Sequence, residues 1–219
     1  MAVSLHETCQ QYVARRLSEG WEIVWQKGYN LILSSPDGNI LRPVDLRNDV
    51  ETLRPNAPGD ETSIAQVHGS VTHWGAVDEV VPDEDSSYVH TASKTFQRDL
   101  YNLPASSGSG TINKITVWFR CRVTTQDYNF AKASIKSDGT VTDGSQKNPT
   151  TSWGNFSQQW ATNPADGHAW EWADIDALQI GVSLQGDIDY AESAYCTQVY
   201  VEVDYTPAAG RSYGFVIGC

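Results

Sequence analysis

Basic residues are scarce in this sequence: 15 lysines and arginines stand against 27 aspartates and glutamates in 219 residues, a formal net charge of −12. A surface of that sign repels phosphate backbones and anionic lipid, which argues against direct nucleic-acid binding and against attachment to a membrane by charge. No apolar run approaches the roughly 20 residues that a membrane helix needs. Met1-Ala2-Val3 leads straight into polar sequence, without the basic start and apolar segment of a secretory signal. The five histidines, at 6, 68, 73, 90 and 168, form no HxH or HExxH pattern, so a zinc site would need ligands from elsewhere. GxSxG, GxGxxG and GxxxxGK[ST] are all missing, which removes the usual nucleophile-elbow, dinucleotide and P-loop readings.

What is present is period two. From Trp170 to Tyr205, apolar side chains alternate with polar ones at Leu178, Ile180, Val182 and Leu184, then at Thr197, Val199, Val201, Val203 and Tyr205. Residues 112–123 repeat the pattern, with Ile115, Val117, Phe119, Cys121 and Val123 on one face and Thr116, Trp118, Arg120 and Arg122 on the other. Alternation of this length predicts strands of a half-buried antiparallel sheet with one wet face. Cysteines occur at 9, 121, 196 and 219 with no CxxC pair, so neither a zinc finger nor a dithiol redox centre is indicated. Cys121 shares the inward phase of its strand. Cys196 falls out of phase with Val199 and Val201 and is expected to face outward, so free thiols are expected unless a bulge resets the register.

Residues 5–19 place Leu5, Cys9, Tyr12, Val13 and Leu17 on one helical face, with Gly20 as the stop. Strands at 21–26, 31–34 and 40–46, joined by Gly-containing turns, complete a helix plus three-stranded meander spanning residues 1–52. Beyond it, short apolar runs alternate with Gly, Ser, Thr, Asn and Asp, the texture of a β-sandwich over residues 53–206. Strands are expected near 53, 63–67, 76–81, 88–92, 95–100, 112–123, 131–136, 155–160, 178–184 and 196–205. Asp174 to Ala177 reads as one helical turn. Residues 106–110 and 138–152 read as loops, with Thr140 to Thr142 open to an edge-strand reading. Residues 207–219 form a tail whose Tyr213, Phe215 and Ile217 could add to a sheet edge or fill a groove on a neighbour, or fold back on their own domain.

Several carboxylate groupings, Asp78-Glu79, Asp83-Glu84-Asp85, Asp174/Asp176 and Asp187/Asp189/Glu192, are formal acid and base candidates. None is flanked by a pattern that would desolvate one member and leave the other wet, so surface and strand-end roles are expected. Asp83 and Asp85 are weak ligands for a structural calcium, because the loop lacks the glycine and distal glutamate of a helix-loop-helix site. No other cofactor is expected. Tryptophan is the unusual item: eight, at 21, 25, 74, 118, 153, 160, 170 and 172. Most are expected to fill the sandwich, with Trp118 in an outward phase and Trp153 beside a loop as candidates for an interface or a ligand platform.

The segments LRPNAPGDETSI, Trp74-x3-Asp78, Asp83-Glu84-Asp85-x2-Tyr88, GTINKITVWFRCR, ATNPADGHAWEWADIDALQIGV and TQVYVEVDY together resemble a jelly-roll domain of virion proteins of tailed bacterial and archaeal viruses. The resemblance covers residues 53–206. It implies an antiparallel jelly-roll β-sandwich behind the N-terminal helix and meander, and it supplies no catalytic residues. It also implies a non-enzymatic virion component at the capsid surface, a decoration protein made in the host cytoplasm. Such a component is expected to assemble in several copies, through termini and sheet edges, with partners such as the major capsid protein. Two alternatives stand beside it. One is a carbohydrate-binding module using Trp118 and Trp153 as glycan platforms. The other is a polysaccharide-cleaving enzyme using carboxylates among Asp83, Asp85, Asp174 and Asp176.

Overall fold

A computed structural model describes residues 9–27, 30–38, 40–45, 48–190 and 193–208. The chain divides into two compact units: Met1–Val50 with Ser107–Asn113 and Asp204–Cys219, and Glu51–Ser106 with Lys114–Val203.

In the first unit the helix α1 (Cys9–Ser18) ends as its glycine requires. Gly20 takes a φ of 86°. Its N–H donates to the Leu17 carbonyl at 3.1 Å and that of Trp21 to Arg16 at 3.0 Å, the paired bonds of a Schellman close. The expected helical residues before Cys9 lie outside the described residues. β1 (Glu22–Lys27), β2 (Asn30–Ser34) and β3 (Leu41–Asp45) follow as an antiparallel meander in that order. The register of β1 slips between Ile23 and Trp25, so Val24 is an extra residue. Both Ile23 and Val24 stay exposed, while Leu31 and Leu33 of β2 are buried.

The second unit holds the whole or the greater part of β4 (Asp49–Leu53), β5 (Ala57–Thr62), β6 (Gln66–His68), β7 (Tyr88–Thr91), β8 (Gln97–Asn102), β9 (Gly110–Val123) and β10 (Phe130–Ser137). It continues through β11 (Thr140–Asp143), β12 (Gly154–Trp160), a short helix α2 (Trp172–Ala177), β13 (Gln179–Gln185) and β14 (Ala194–Pro207). One sheet runs β12-β9-β14-β7-β6, with β4 also paired to β14, and the other runs β11-β10-β13-β8-β5. From β7 onward the chain changes sheet at every connection except the β10–β11 hairpin. Numbering those eight strands in chain order, the sheets read 6-3-8-1 and 5-4-7-2, which is jelly-roll topology. The fold is mainly β, an antiparallel sandwich. The inward phase expected for β9 holds: Ile115, Val117, Phe119, Cys121 and Val123 are all buried, as are Ile180, Val182 and Leu184 of β13.

Four local expectations are corrected. Residues 76–81 form no strand: Trp74–Ala76 is a single 3-10 turn, after which Val80 and Val81 are exposed. β13 has no wet face, because Gln179 and Ser183 are buried too and Asp60 donates its N–H to Gln179 Oε1 at 3.0 Å. β5 was not expected; it pairs with β8 across a register slip between Pro58 and Thr62, the stretch from which Asp60 reaches Gln179. Cys196 is fully buried. Burial in β14 falls on Ala194 and Cys196, then on Val199, Val201 and Val203, so the phase changes across Thr197 and Gln198. At that step the strand leaves its partner β7 and bonds to the preceding loop, with Val199 N–H on the Val77 carbonyl and Gln198 Nε2 on that of Glu79. Cys121 and Cys196 remain free thiols. Burial lifts the Cys121 thiol well above its usual range and pushes that of Cys196 up to about 12.

The 138–152 segment takes its edge-strand form. Asp138 and Gly139 have φ of 49° and 77°, a two-residue turn with both residues left-handed, closed by the Ser137–Thr140 pair into β11.

Candidate functional site

The outward phase of β9 sets one side of the site. Strands β7, β6 and β14 set the other, because period two sends Tyr88 and His90 outward around the buried Val89. Register places His68 of β6 opposite Tyr88, and Tyr195 of β14 opposite His90. The His68 and Tyr88 rings stack with centroids 4.8 Å apart, and those of His90 and Tyr195 stack at 5.1 Å with 10° between planes. Tyr88 meets both rings of the second stack edge on, at 5.4 Å from His90 and 5.3 Å from Tyr195. Trp153, just before β12, closes the group 6.5 Å from Tyr88.

The Arg122 guanidinium reaches this group from β9, 4.2 Å from the Tyr195 centroid and 5.1 Å from that of Trp153. Asp85 accepts from Trp153 Nε1 at 3.2 Å and pairs with Arg122 at 3.3 Å. The His90 pKa is lowered, first by burial and then by the neighbouring His68 and Arg122, so His90 is held neutral at pH 7.

Farther along the same face Trp118 lies parallel to Tyr200, centroids 6.3 Å apart, with its indole N–H on Glu202 at 2.8 Å. Arg54 sits 4.6 Å over the Tyr200 ring. Arg120 is held by Glu84 and by Asn155 Oδ1. Beside His90, a pocket of about 320 Å3 is lined by Gln66, Thr91, Ser93, Gln97, Ile188 and Ser193 among others.

The two tryptophans singled out from sequence therefore share one sheet face, and both are half-buried. Trp153 is partly covered by Arg122, whose guanidinium lies 5.1 Å from its ring centroid. Of the tryptophans whose side chains are described, Trp170 is buried and the other six are half-buried. Tyr213, Phe215 and Ile217 lie outside the described residues.

Asp83 and Asp85, the weak metal candidates, take different partners: Asp83 accepts from the Ser87 hydroxyl and from Thr197, Asp85 from Trp153 and Arg122. Among the described residues no three His, Cys, Asp or Glu side chains gather in a way that would hold a metal ion. Asp174 closes a capping box with Glu171 on α2, and Asp176 accepts from the amide and hydroxyl of Ser106, each at 2.8 Å, which lowers its pKa.

Tyr88, His90, His68, Tyr195 and Arg122 were not singled out from sequence. The signal for the first two was their alternation with Val89. The signal for Tyr195 was hidden by the phase change in β14. A second polar group that went unread lies inside the sandwich. Asp99 is fully buried and accepts from Ile64 N–H at 2.9 Å and the Tyr101 hydroxyl at 3.3 Å, with His73 Nδ1 at 2.6 Å.

No family model matches the chain, and no curated protein matches it. Solved structures similar to it include a "Family 16 Carbohydrate Binding Module-2", at 7% identity and TM-score 0.39, covering 66% of this chain and 89% of that one. The N-terminal cellulose-binding domain of a Cellulomonas fimi β-1,4-glucanase C is similar at 14% identity and TM-score 0.35, covering 62% and 85%. The CBM22-1 xylan-binding domain of Paenibacillus barcinonensis Xyn10C is similar at 8% identity and TM-score 0.37, covering 74% and 97%. Likeness at this level is one of fold. The expectation of a capsid-surface decoration protein is corrected by these neighbours, which are carbohydrate-binding modules, and what the ring-lined face binds is argued from its own geometry. Among the described residues no helix is long and apolar enough to cross a membrane.

Proposed function

We propose that this chain is a non-catalytic carbohydrate-binding β-sandwich that holds a glycan against the outer face of the β12-β9-β14-β7-β6 sheet. One observation carries the reading. His68, Tyr88, His90, Tyr195 and Trp153 form a connected array of rings on the side of the sheet that faces away from the core, where small polar residues would suffice for solubility. The axial C–H face of a pyranose is apolar and its rim carries hydroxyls. A ring with a polar edge, as in Tyr, His and Trp, meets both demands. Strand-borne rings that brace each other are also pre-ordered, so little conformational entropy is lost on binding. The carboxylates weighed for cleavage cap a helix, brace a loop or pair with Arg122, which supports binding without turnover.

The test is a titration of the chain with soluble polysaccharides, by affinity electrophoresis and by tryptophan fluorescence, which Trp153 makes sensitive to this face. Tyr88→Ala and Tyr195→Ala are each expected to weaken binding about tenfold, or about 1.4 kcal/mol, with near-UV circular dichroism unchanged and no reducing ends released. Binding that survives both substitutions at full strength would refute the assignment of this face.

A further inference from the structure

The ring array contains a cation with donors to offer. The Arg122 side chain is about three-quarters covered, and its planar group is held by two rings, Tyr195 at 4.2 Å and Trp153 at 5.1 Å. A guanidinium carries five N–H donors in a fixed fork. Among the described residues its one ionic partner is Asp85, at 3.3 Å from Nη2, and the Asp85 side chain is 74% exposed. Arg120 on the same face differs, being engaged by Glu84 and Asn155. Arg98 on the opposite sheet differs too, being held by Glu61 and doubly by Asp143. Arg122 is thus held against two rings, three-quarters covered, and paired with a single exposed carboxylate.

His68 and Arg122 both lie close enough to His90 to add to the lowering of its pKa that burial begins. The charged and titratable groups around His90 are His68 on β6, Tyr88 on its own strand, Tyr195 on β14, Arg122 on β9, and Asp85 bound to Arg122. In a protein whose net charge is −12, this face sets a guanidinium against a single carboxylate that is itself largely exposed. A guanidinium whose one ionic partner is displaceable favours, at a ring-lined face, a ligand that brings its own anion.

Resting on the carbohydrate-binding reading, we infer that the ligand is an acidic glycan whose uronate carboxylate is received by Arg122 while its pyranose face lies on the Tyr88–Tyr195–Trp153 rings. A carboxylate matches the guanidinium fork in a bidentate pair, a stronger arrangement than a neutral hydroxyl can make. Asp85 occupies that position in the free protein. Because it is exposed, its pair with Arg122 is of the weak surface kind and yields to the incoming carboxylate.

The experiment compares a polyuronate with its own carboxyl-reduced form, and with a sulfated glycan, by calorimetry on the full chain. The proposal expects the polyuronate to bind at least tenfold tighter than the reduced form. Arg122→Gln should erase that ratio, bringing the polyuronate down to whatever affinity the variant shows for the reduced form. Asp85→Asn, which keeps an acceptor for the Trp153 N–H, should strengthen polyuronate binding severalfold. Equal binding of the polyuronate and its reduced form, unaffected by Arg122→Gln, would overturn the acidic-ligand inference and leave the carbohydrate reading standing. Preference for the sulfated glycan over the polyuronate would replace the uronate as the anion and overturn the assignment. Failure of all three to bind would overturn both readings.

Discussion

Asp99→Ala measures how much one buried acceptor holds in place. Asp99 sits on β8 with its side chain at zero exposure and receives three groups: the Ile64 amide, the Tyr101 hydroxyl and His73. Ile64 and Tyr101 are themselves buried, so water cannot replace the lost acceptor at either. The His73 side chain is partly exposed and can turn to solvent. Two orphaned buried donors cost about 1–3 kcal/mol each. Removing the carboxylate also removes its desolvation cost, which returns part of that sum. The expected net loss is about 3 kcal/mol, or roughly 6–12 °C in Tm for a domain of this size.

Asp99→Asn keeps an oxygen for Ile64 and is expected to lose about 1 kcal/mol or less. Burial raises the Asp99 carboxyl pKa, against the pull of the Ile64 amide, His73 and Tyr101. A raised folded-state value means a contribution fully present below the unfolded pKa, near 3.9, and lost as pH rises through the folded value. Asn is therefore expected to gain on Asp as pH rises from 4 to 7. Urea unfolding followed by tryptophan fluorescence across that range is the assay. If Asp99→Ala fell within about 1 kcal/mol of the parent, or if Asn were as damaging as Ala, the hydrogen-bond argument would fail.

Two further outcomes follow from single positions. The His90 pKa is depressed in the folded state, so its contribution is present above the unfolded value near 6.5 and is lost as pH falls through the folded one. The parent should therefore lose stability on acidification from pH 7 to 5, and His90→Gln should flatten that slope in a thermal-melt series. At the β10–β11 turn, Gly139 has a φ of 77° with open space where a Cβ would stand, so Gly139→Ala incurs only backbone strain. About 1 kcal/mol is expected, visible as a lower urea midpoint; a neutral result would mean that the turn has another form.

The strands that could be read from sequence are those whose pattern and packing agree. In β9 the inward and outward sets fell out of simple alternation, and with them the placement of Trp118 and Arg122 on the face where the candidate site lies. The first-unit meander was legible in part because its second turn carries Gly38, at a φ of 73°, where a left-handed residue is needed. β5 was not, since Ala57-Pro58-Gly59-Asp60 has the composition of a loop and pairs only across a register slip. The Asp138–Gly139 hairpin turn had a recognised signature that the surrounding polar sequence outweighed. In β14 alternation failed because two residues, Thr197 and Gln198, are buried consecutively while bonding to the loop before β7. That phase change put Cys196 on the wrong face in the reading and concealed Tyr195, one of the rings of the array. The site as a whole could not be read from linear spacing, because its members come from four strands and one loop that meet only through sheet order.

The two core thiols give the molecule its own clock for opening. Cys121 and Cys196 lie on adjacent strands, β9 and β14, at zero exposure, and reaction with an alkylating reagent needs the thiolate. With both pKa values lifted by burial, modification near neutral pH waits for the sheet to part at that seam. The labelling rate, read peptide by peptide in a mass spectrometer, then reports how often the sandwich breathes along its central strands. No probe has to be engineered, and a ligand that clamps the outer face of that sheet should slow the clock.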